Sequence, residues 1–384
     1  MRLLHTSQMQ LEEFTPDKIP CYAILSHRWE SSEISFNDFQ SGAVSTKAAW
    51  KKLQRSCQQA QKDRIPYIWI DSCCIDKSSS AELSESVNSM FNWYRHAHVC
   101  YAYLSDVPDD DEIRKSDSKF ASSAWFDRGW TLQELLAPRE MIFFSHNWRE
   151  LGEKKDLIGV LASITRIPDW VLGRPHRMFD CSIAQRMSWA SRRKTTRPED
   201  MAYALMGIFD VNMSLLYGEG GTKAFLRLQE EIMKISDDTS IFAWVDPKAS
   251  PDNFDTPHGL LATSIEHFAD SHNIKNFRGI DRPPYEMTNK GIRIDFTLLG
   301  SPNEPGRLAL LDCVQIRDGG DPRFVAVHLR KEFGRLDGDI ERYVRVKVES
   351  LPTPPDIHSL AGILYATRGN MQTVYITQRF QGFL

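Results

Sequence analysis

Short apolar runs alternate with helical spacings through the first 150 residues. Cys21–Ser26 (CYAILS), Pro66–Asp71 (PYIWID), His98–Leu104 (HVCYAYL) and Met141–Phe144 (MIFF) are brief hydrophobic stretches rich in β-branched and aromatic residues, read as buried strands. Between them, Ala49, Leu53, Cys57 and Ala60 put one apolar face on a helix near Thr46–Lys62. Leu83, Val87, Met90, Phe91 and Tyr94 do the same over Glu82–Tyr94. Thr131–Ala137 predicts a short helix stopped by Pro138. Such alternation predicts right-handed crossovers and a parallel sheet covered on both faces, an α/β domain over residues 1–150.

Residues 151–239 read as a helical extension. Thr196, Pro198 and Glu199 form a start signal, a capping threonine with glutamate three residues on, for a helix through Met201, Ala204, Leu205 and Ile208. A second helix from about Thr222 carries Phe225, Leu228, Ile232 and Ile235 on one face, after the glycine-rich turn Leu216–Gly221. That turn lacks the Gly-Lys-Ser/Thr ending of a phosphate loop. From about 240 to 384 the pattern turns to period two: Ile292, Ile294, Phe296 and Leu298 alternate with Arg293, Asp295 and Thr297. Leu308–Ile316, Phe324–Leu329, Tyr343–Val348 and Val374–Thr377 look similar, which predicts an antiparallel β-rich C-terminal domain. Asp109–Glu112 and Leu351–Pro355 read as solvated connections.

Composition narrows the function classes. Of 384 residues, 41% are hydrophobic and 26% charged, which excludes global disorder. Lysine and arginine number 47 against 51 acidic residues, a net charge of −4. That balance gives no footprint for gripping nucleic acid and no polybasic membrane surface. No run approaches the roughly 18 apolar residues of a membrane span. The start, MRLLHTSQMQLEEF, interrupts any signal-peptide core with polar residues, so a cytoplasmic protein is expected. Seven scattered cysteines read as reduced thiols. Cys73, Cys74 and Cys100 beside His96 and His98 match no zinc-ligand spacing, so no metal and no resident cofactor are expected.

In an open parallel sheet, ligands bind outside the carboxyl ends of the strands. That rule selects Ser26, His27, Arg28 and Trp29 after the first strand, Asp71 after the second, and Ser105 and Asp106 after the third. Glu134, Arg128 and Trp130 come with the short helix that follows. A carboxylate, hydroxyl, imidazole, two guanidiniums and two indoles on one rim suit a ligand with hydroxyls, phosphates and flat rings.

YAILSHRW (22–29), WIDSCCID (69–76), the Glu85…Met90…Tyr94 helix and RGWTLQELLAP (128–138) together resemble the HET domain of fungal heterokaryon-incompatibility proteins. TTRPEDMAYALMGIFDVNMSLLYGEG (195–220) resembles the continuation common in that family, so the likeness covers about residues 1 to 240. The HET domain is similar to the TIR domain, a flavodoxin-like module of innate immunity and cell death, and many TIR domains hydrolyse NAD⁺ with a glutamate in a Trp-x-x-x-Glu pattern. Trp130-Thr-Leu-Gln-Glu134 fits that spacing; the serine usual two residues before the tryptophan is Arg128 here. The resemblance therefore implies a flavodoxin-like, TIR-like sheet and NAD⁺ as substrate; activation by self-association into a homo-oligomer is expected because an unrestrained NAD⁺ hydrolase would kill its own cell. The resemblance also implies Glu134 as the catalytic group, at the open mouth of a nucleotide-sized cleft.

One glutamate suffices for that reaction. Nicotinamide leaves as a neutral pyridine, so no general acid is needed, and the second carboxylate of an ordinary glycosidase is dispensable. A negative group near the oxocarbenium-like ribose is what remains necessary. Glu134 would hold the ribose hydroxyls, Trp29 or Trp130 would stack on nicotinamide, and Arg28 or Arg128 would hold the pyrophosphate. His27 is read as a base, a phosphate contact or a sheet-edge histidine, and Ser26 as a ligand cap or a loop hydroxyl. Asp71 and Asp76 bracket SCCI: one is read as orienting Arg28 or Arg128, or both as fixing the loop, the structural role being the reading for Asp76. Two other classes stay open: a non-catalytic TIR-like scaffold that binds a nucleotide or protein partner, and an enzyme acting on another nucleotide.

Overall fold

The computed structural model describes residues 1–30, 33–42, 49–249, 255–277, 283–301, 303–316, 322–332, 340–354 and 371–378. Thr46 and Pro355, at the ends of two expected segments, lie outside the described residues. Two compact units divide the chain: Met1–Met178 with Arg193–Leu215, and Phe179–Arg192 with Leu216–Leu384.

The first unit is built on a seven-stranded mixed sheet. Its strands are β1 (Arg2–His5), β2 (Leu11–Glu13), β3 (Tyr22–His27), β4 (Tyr67–Trp69), β5 (Val99–Tyr103), β6 (Met141–Phe144) and β7 (Glu150–Glu153), in spatial order β2-β1-β4-β3-β5-β6-β7. The four apolar runs of the sequence become the parallel centre, with Ala23 opposite both Ile68 and Val99, and Cys100 opposite Met141. Every residue of β3 is buried, as expected for a central strand covered on both faces. The antiparallel β1–β2 hairpin lies beside β4, pairing Leu4 with Ile68. No periodicity announces it, because Leu3 and Leu4 are its two buried residues.

Helices α1 (Phe36–Ser41), α2 (Trp50–Lys62), α3 (Asp71–Cys74), α4 (Ser80–His96) and α5 (Thr131–Leu136) connect these strands. Ser35 and Asp38 close a reciprocal capping box at the start of α1, and Gly42 takes the left-handed conformation, φ 73°, at its end. Ser79 caps α4. The continuous helix expected over 196–208 is two short ones, Asp200–Tyr203 and Met206–Phe209. Ala204 and Leu205 separate them, and both helices are packed on buried side chains rather than held by length.

In the second unit the β pattern folds as β8 (Ile274–Asn276), β9 (Glu286–Thr288), β10 (Gly291–Leu299), β11 (Gly306–Gln315), β12 (Arg323–Lys331), β13 (Glu341–Val346) and β14 (Met371–Ile376). Strands β10 to β14 close on themselves through β10–β11 and β10–β14 pairing, with β8 and β9 as flanking strips. Ile292, Ile294, Phe296 and Leu298 are buried, as their alternation predicts. One pair departs from the antiparallel expectation: β13 and β14 run parallel, Glu341 facing Val374. The stretch between them exceeds the dozen or so residues that a parallel crossover needs, so no hairpin fixes their direction. Helix Gly221–Ile235 forms where predicted and buries Phe225, Leu228 and Ile232, but leaves Ile235 exposed. No helix among the described residues is long and apolar enough to cross a membrane.

Packing of the first unit sets a test. A Cβ at Gly207 would lie 2.2 Å from the Phe91 Cβ on α4, where no side-chain rotation relieves it. Gly207→Ala is expected to destabilise the unit by about 1–3 kcal/mol. Gly159→Ala, also in a helix but with nothing within 4 Å of the added carbon, is expected to leave the melting temperature unchanged or raised, as calorimetry of both variants would show.

Candidate functional site

Strand order reverses around β3, which lies between β4 and β5, and an open sheet leaves its crevice outside the strand ends at such a point. Ser26 and His27 are the last residues of β3, opposite Ala102 and Tyr103 of β5. Both are buried, whereas Arg28 beyond them is exposed and Trp29 half-buried.

Glu134 meets β3 here. The Ser26 hydroxyl donates to Glu134 Oε2 at 2.5 Å and accepts from the Trp125 indole N–H at 2.9 Å. The Tyr94 hydroxyl, within hydrogen-bond reach of the same carboxyl, donates to the Leu25 carbonyl at 3.0 Å. Its contact with the carboxyl, like that of Ser26, favours the ionised form, so the neutral acid is the work of burial. Burial pushes the Glu134 carboxyl up to about 8. The Ser26 hydrogen bond opposes the rise, Asp71 adds to it and Arg128 reduces it. Glu134 therefore departs from the expected open cleft mouth: it is 7% exposed, on a helix whose every residue is buried. The physical reason is the long connection before α5, which carries Trp125 back over Ser26.

Both ends of α5 are fixed by buried cations. Arg193 donates to the Arg128 carbonyl and the Thr131 hydroxyl at 2.9 Å each, and Lys154 donates to the Leu135 carbonyl at 2.7 Å. Gly129 donates to the Lys194 carbonyl at 2.8 Å; a Cβ on it would stand 2.5 Å from Thr195 Cγ2.

A second cluster surrounds His27. Its Nε2 lies 3.5 Å from Glu33 Oε2 and 3.9 Å from Asp71 Oδ1, while Lys52 pairs with the other Glu33 oxygen. Burial alone would raise the Glu33 pKa, but His27 and Lys52 bring it down to about 2. The other Asp71 oxygen accepts from the Trp29 indole N–H at 2.8 Å, and the Lys77 ammonium stands 3.3 Å from the Trp29 ring centroid.

The structure thus brings Ser26 and Glu134 together, and Trp29, Asp71 and His27 together. Trp130 is directed elsewhere: its indole N–H donates to Asp200 at 3.4 Å. Asp71 meets Trp29 and His27 rather than an arginine. Asp76 fixes its own loop through the Ser78 amide and hydroxyl. Sequence reasoning missed Lys77, Trp125, Glu33 and Lys52. The one available signal was Lys77, the residue that follows the WIDSCCID segment. All seven cysteines are free, and only Cys21 is exposed.

Residues 22–118 match the heterokaryon incompatibility protein (HET) family, and residues 223–300 match a domain of unknown function (DUF8212). Over 224 residues, 56% of this chain, the sequence is 46% identical to vegetative incompatibility protein HET-E-1 of Podospora anserina. The chain carries a HET domain. It spans 16% of the length of HET-E-1. No solved structure matches the chain.

The HET match includes Ser26, His27, Arg28, Trp29, Asp71, Lys77 and Tyr94, and ends before Trp125, Arg128, Trp130 and Glu134. Beyond the HET domain, in the second unit, Asp237, Asp238, Asp295 and Asp312 with Phe277 and Tyr285 line a cavity of about 820 Å³. Its carboxylates make it a poor host for a pyrophosphate, so size alone does not select it.

The raised Glu134 pKa has a sign that can be checked. The fold favours the neutral acid, so this contribution to stability is complete below the unfolded value near 4.5 and is lost as pH rises through about 8. Glu134→Gln, a neutral isostere, is expected to flatten that decline and to melt above the wild type at pH 9 but not at pH 4.

Proposed function

We propose that this chain is the HET-bearing part of a cytoplasmic incompatibility effector, and that it kills the cell by cleaving NAD⁺ at the nicotinamide–ribose bond. The observation that carries the reading is Glu134 against Ser26 at the carboxyl end of β3, on the helix that begins with the Trp-x-x-x-Glu spacing. The parallel strands β4-β3-β5-β6 run second-first-third-fourth, the order of a flavodoxin-like sheet, which supports the TIR-like assignment. Similarity to vegetative incompatibility protein HET-E-1 supports the incompatibility role.

In this reading Glu134 lies beneath the ribose and balances its developing positive charge. Ser26 holds the carboxyl in place, and Arg28 and Arg128 supply positive charge for the pyrophosphate. His27 braces the loop after β3 through Glu33 and Asp71. A covered, neutral Glu134 does not cleave, so Trp125 must leave Ser26 before NAD⁺ enters. Self-association is the step assigned to that uncovering, which keeps the solitary protein harmless. The same burial favours a second reading, in which Glu134 is a structural acid and the domain a non-catalytic scaffold for a nucleotide or protein partner.

Chromatography of nicotinamide released from NAD⁺ separates the two. Purified chain fused to an oligomerising tag is expected to release nicotinamide, and Glu134→Ala and Glu134→Gln to lower the rate by at least about 100-fold with folding and oligomer size unchanged. Wild type that releases none in either form, or Glu134→Gln that still kills on expression, transfers the function to the scaffold.

A further inference from the structure

Trp29 is held at its edge and across its face. Its N–H donates to Asp71 at 2.8 Å, and the Lys77 ammonium stands 3.3 Å from its centroid, well inside the roughly 6 Å over which an indole attracts a cation. A carboxylate on the N–H polarises the ring and makes its face more negative. The arrangement is a cation-binding surface with its backing charge already in place. It lies two residues beyond the end of β3, and Asp71 and Arg128 both act electrostatically on Glu134, so ring and acid share one neighbourhood.

Lys77 is a poor permanent occupant. Desolvation holds its ammonium below the usual lysine range; Asp71 and Glu33 oppose that fall, and the like charge of Arg128 adds to it. The residue is otherwise exposed, on a flexible stem that can carry the charge back to water.

We infer that the Trp29 face, backed by Asp71, is a subsite for an aromatic cation of the pyridinium class, and that the Lys77 ammonium fills it when no ligand is bound. The identity of the ligand rests on the NAD⁺ reading and deepens it: the subsite selects the charged nicotinamide ring of NAD⁺ against the neutral ring of its reduced form. A flat pyridinium offers the indole both stacking and charge, whereas an ammonium offers charge alone. Lys77 is then an internal competitor that sets how much ligand is needed to open the site.

The probe is 1-methylnicotinamide, a pyridinium with no ribose to cleave, titrated into the full chain by ligand-observed NMR with neutral nicotinamide as control. Lys77→Met is expected to bind the cation about tenfold tighter than wild type, the competing charge being gone, with no gain for the neutral ring. Trp29→Leu is expected to abolish cation binding in either background and Trp29→Phe to weaken it, with melting curves showing which variants are folded. Equal affinity of Lys77→Met and wild type, or an equal gain for neutral nicotinamide, overturns the inference. Turnover is not read, so the two proposals fail separately. Cation-selective binding without nicotinamide release from NAD⁺ leaves the subsite standing and removes the hydrolase, and release without a Lys77 effect does the reverse.

Discussion

Burying a carboxyl group at the end of a central strand sets the terms for the whole first unit. An ionised Glu134 without water or a cation would be costly, so the fold keeps it neutral and gives it the Ser26 hydroxyl and Tyr94. That solution demands accurate placement of α5. Arg193 at one end, Lys154 at the other and the close approach of Gly129 to Thr195 supply it. The segments RGW and KTT, distant in sequence, are thus packing neighbours, joined by a bridge between Arg128 and Lys194.

Beside His27, another acid receives the opposite treatment. Glu33 is also largely withdrawn from water, yet His27 and Lys52 stabilise its charge and bring its pKa to about 2. One acid is held as an anion by His27 and Lys52, and the other as a neutral group by burial. Pairs of groups pushed apart in this way are what a division of labour between anchoring and reacting carboxyls requires.

Much of the scaffold was legible in the sequence because buried strands and amphipathic helices write their periods locally. The parallel centre, α4, α5 and helix Gly221–Ile235 stand where the apolar spacing puts them. The features that escaped are those the chain writes at a distance. The β1–β2 hairpin has too few apolar residues to show a period, and the direction of β14 against β13 depends on a crossover. The break at Ala204 and Leu205 lies inside an unbroken helical pattern, because packing overrode propensity there. At the site, Ser26, Trp29, Asp71 and Glu134 were named from strand ends and motifs. Lys77 over Trp29 and Trp125 on Ser26 were not, since residues 48 and 99 positions apart meet only after folding. The depth of Glu134 could not be read either: amphipathic spacing marks a face, and α5 is buried all round.

A carboxyl held near pKa 8 ties any cation that pairs with it to the solution around the protein. To become an anion at neutral pH, as the proposed NAD⁺ reading requires, Glu134 would shed its hydrogen ion, so capture of a positive ligand there would acidify the medium. By reciprocity, acidification loosens the ligand. Under the proposed hydrolysis, a fall in the pH of the surrounding compartment would slow the protein, a brake that needs no second molecule.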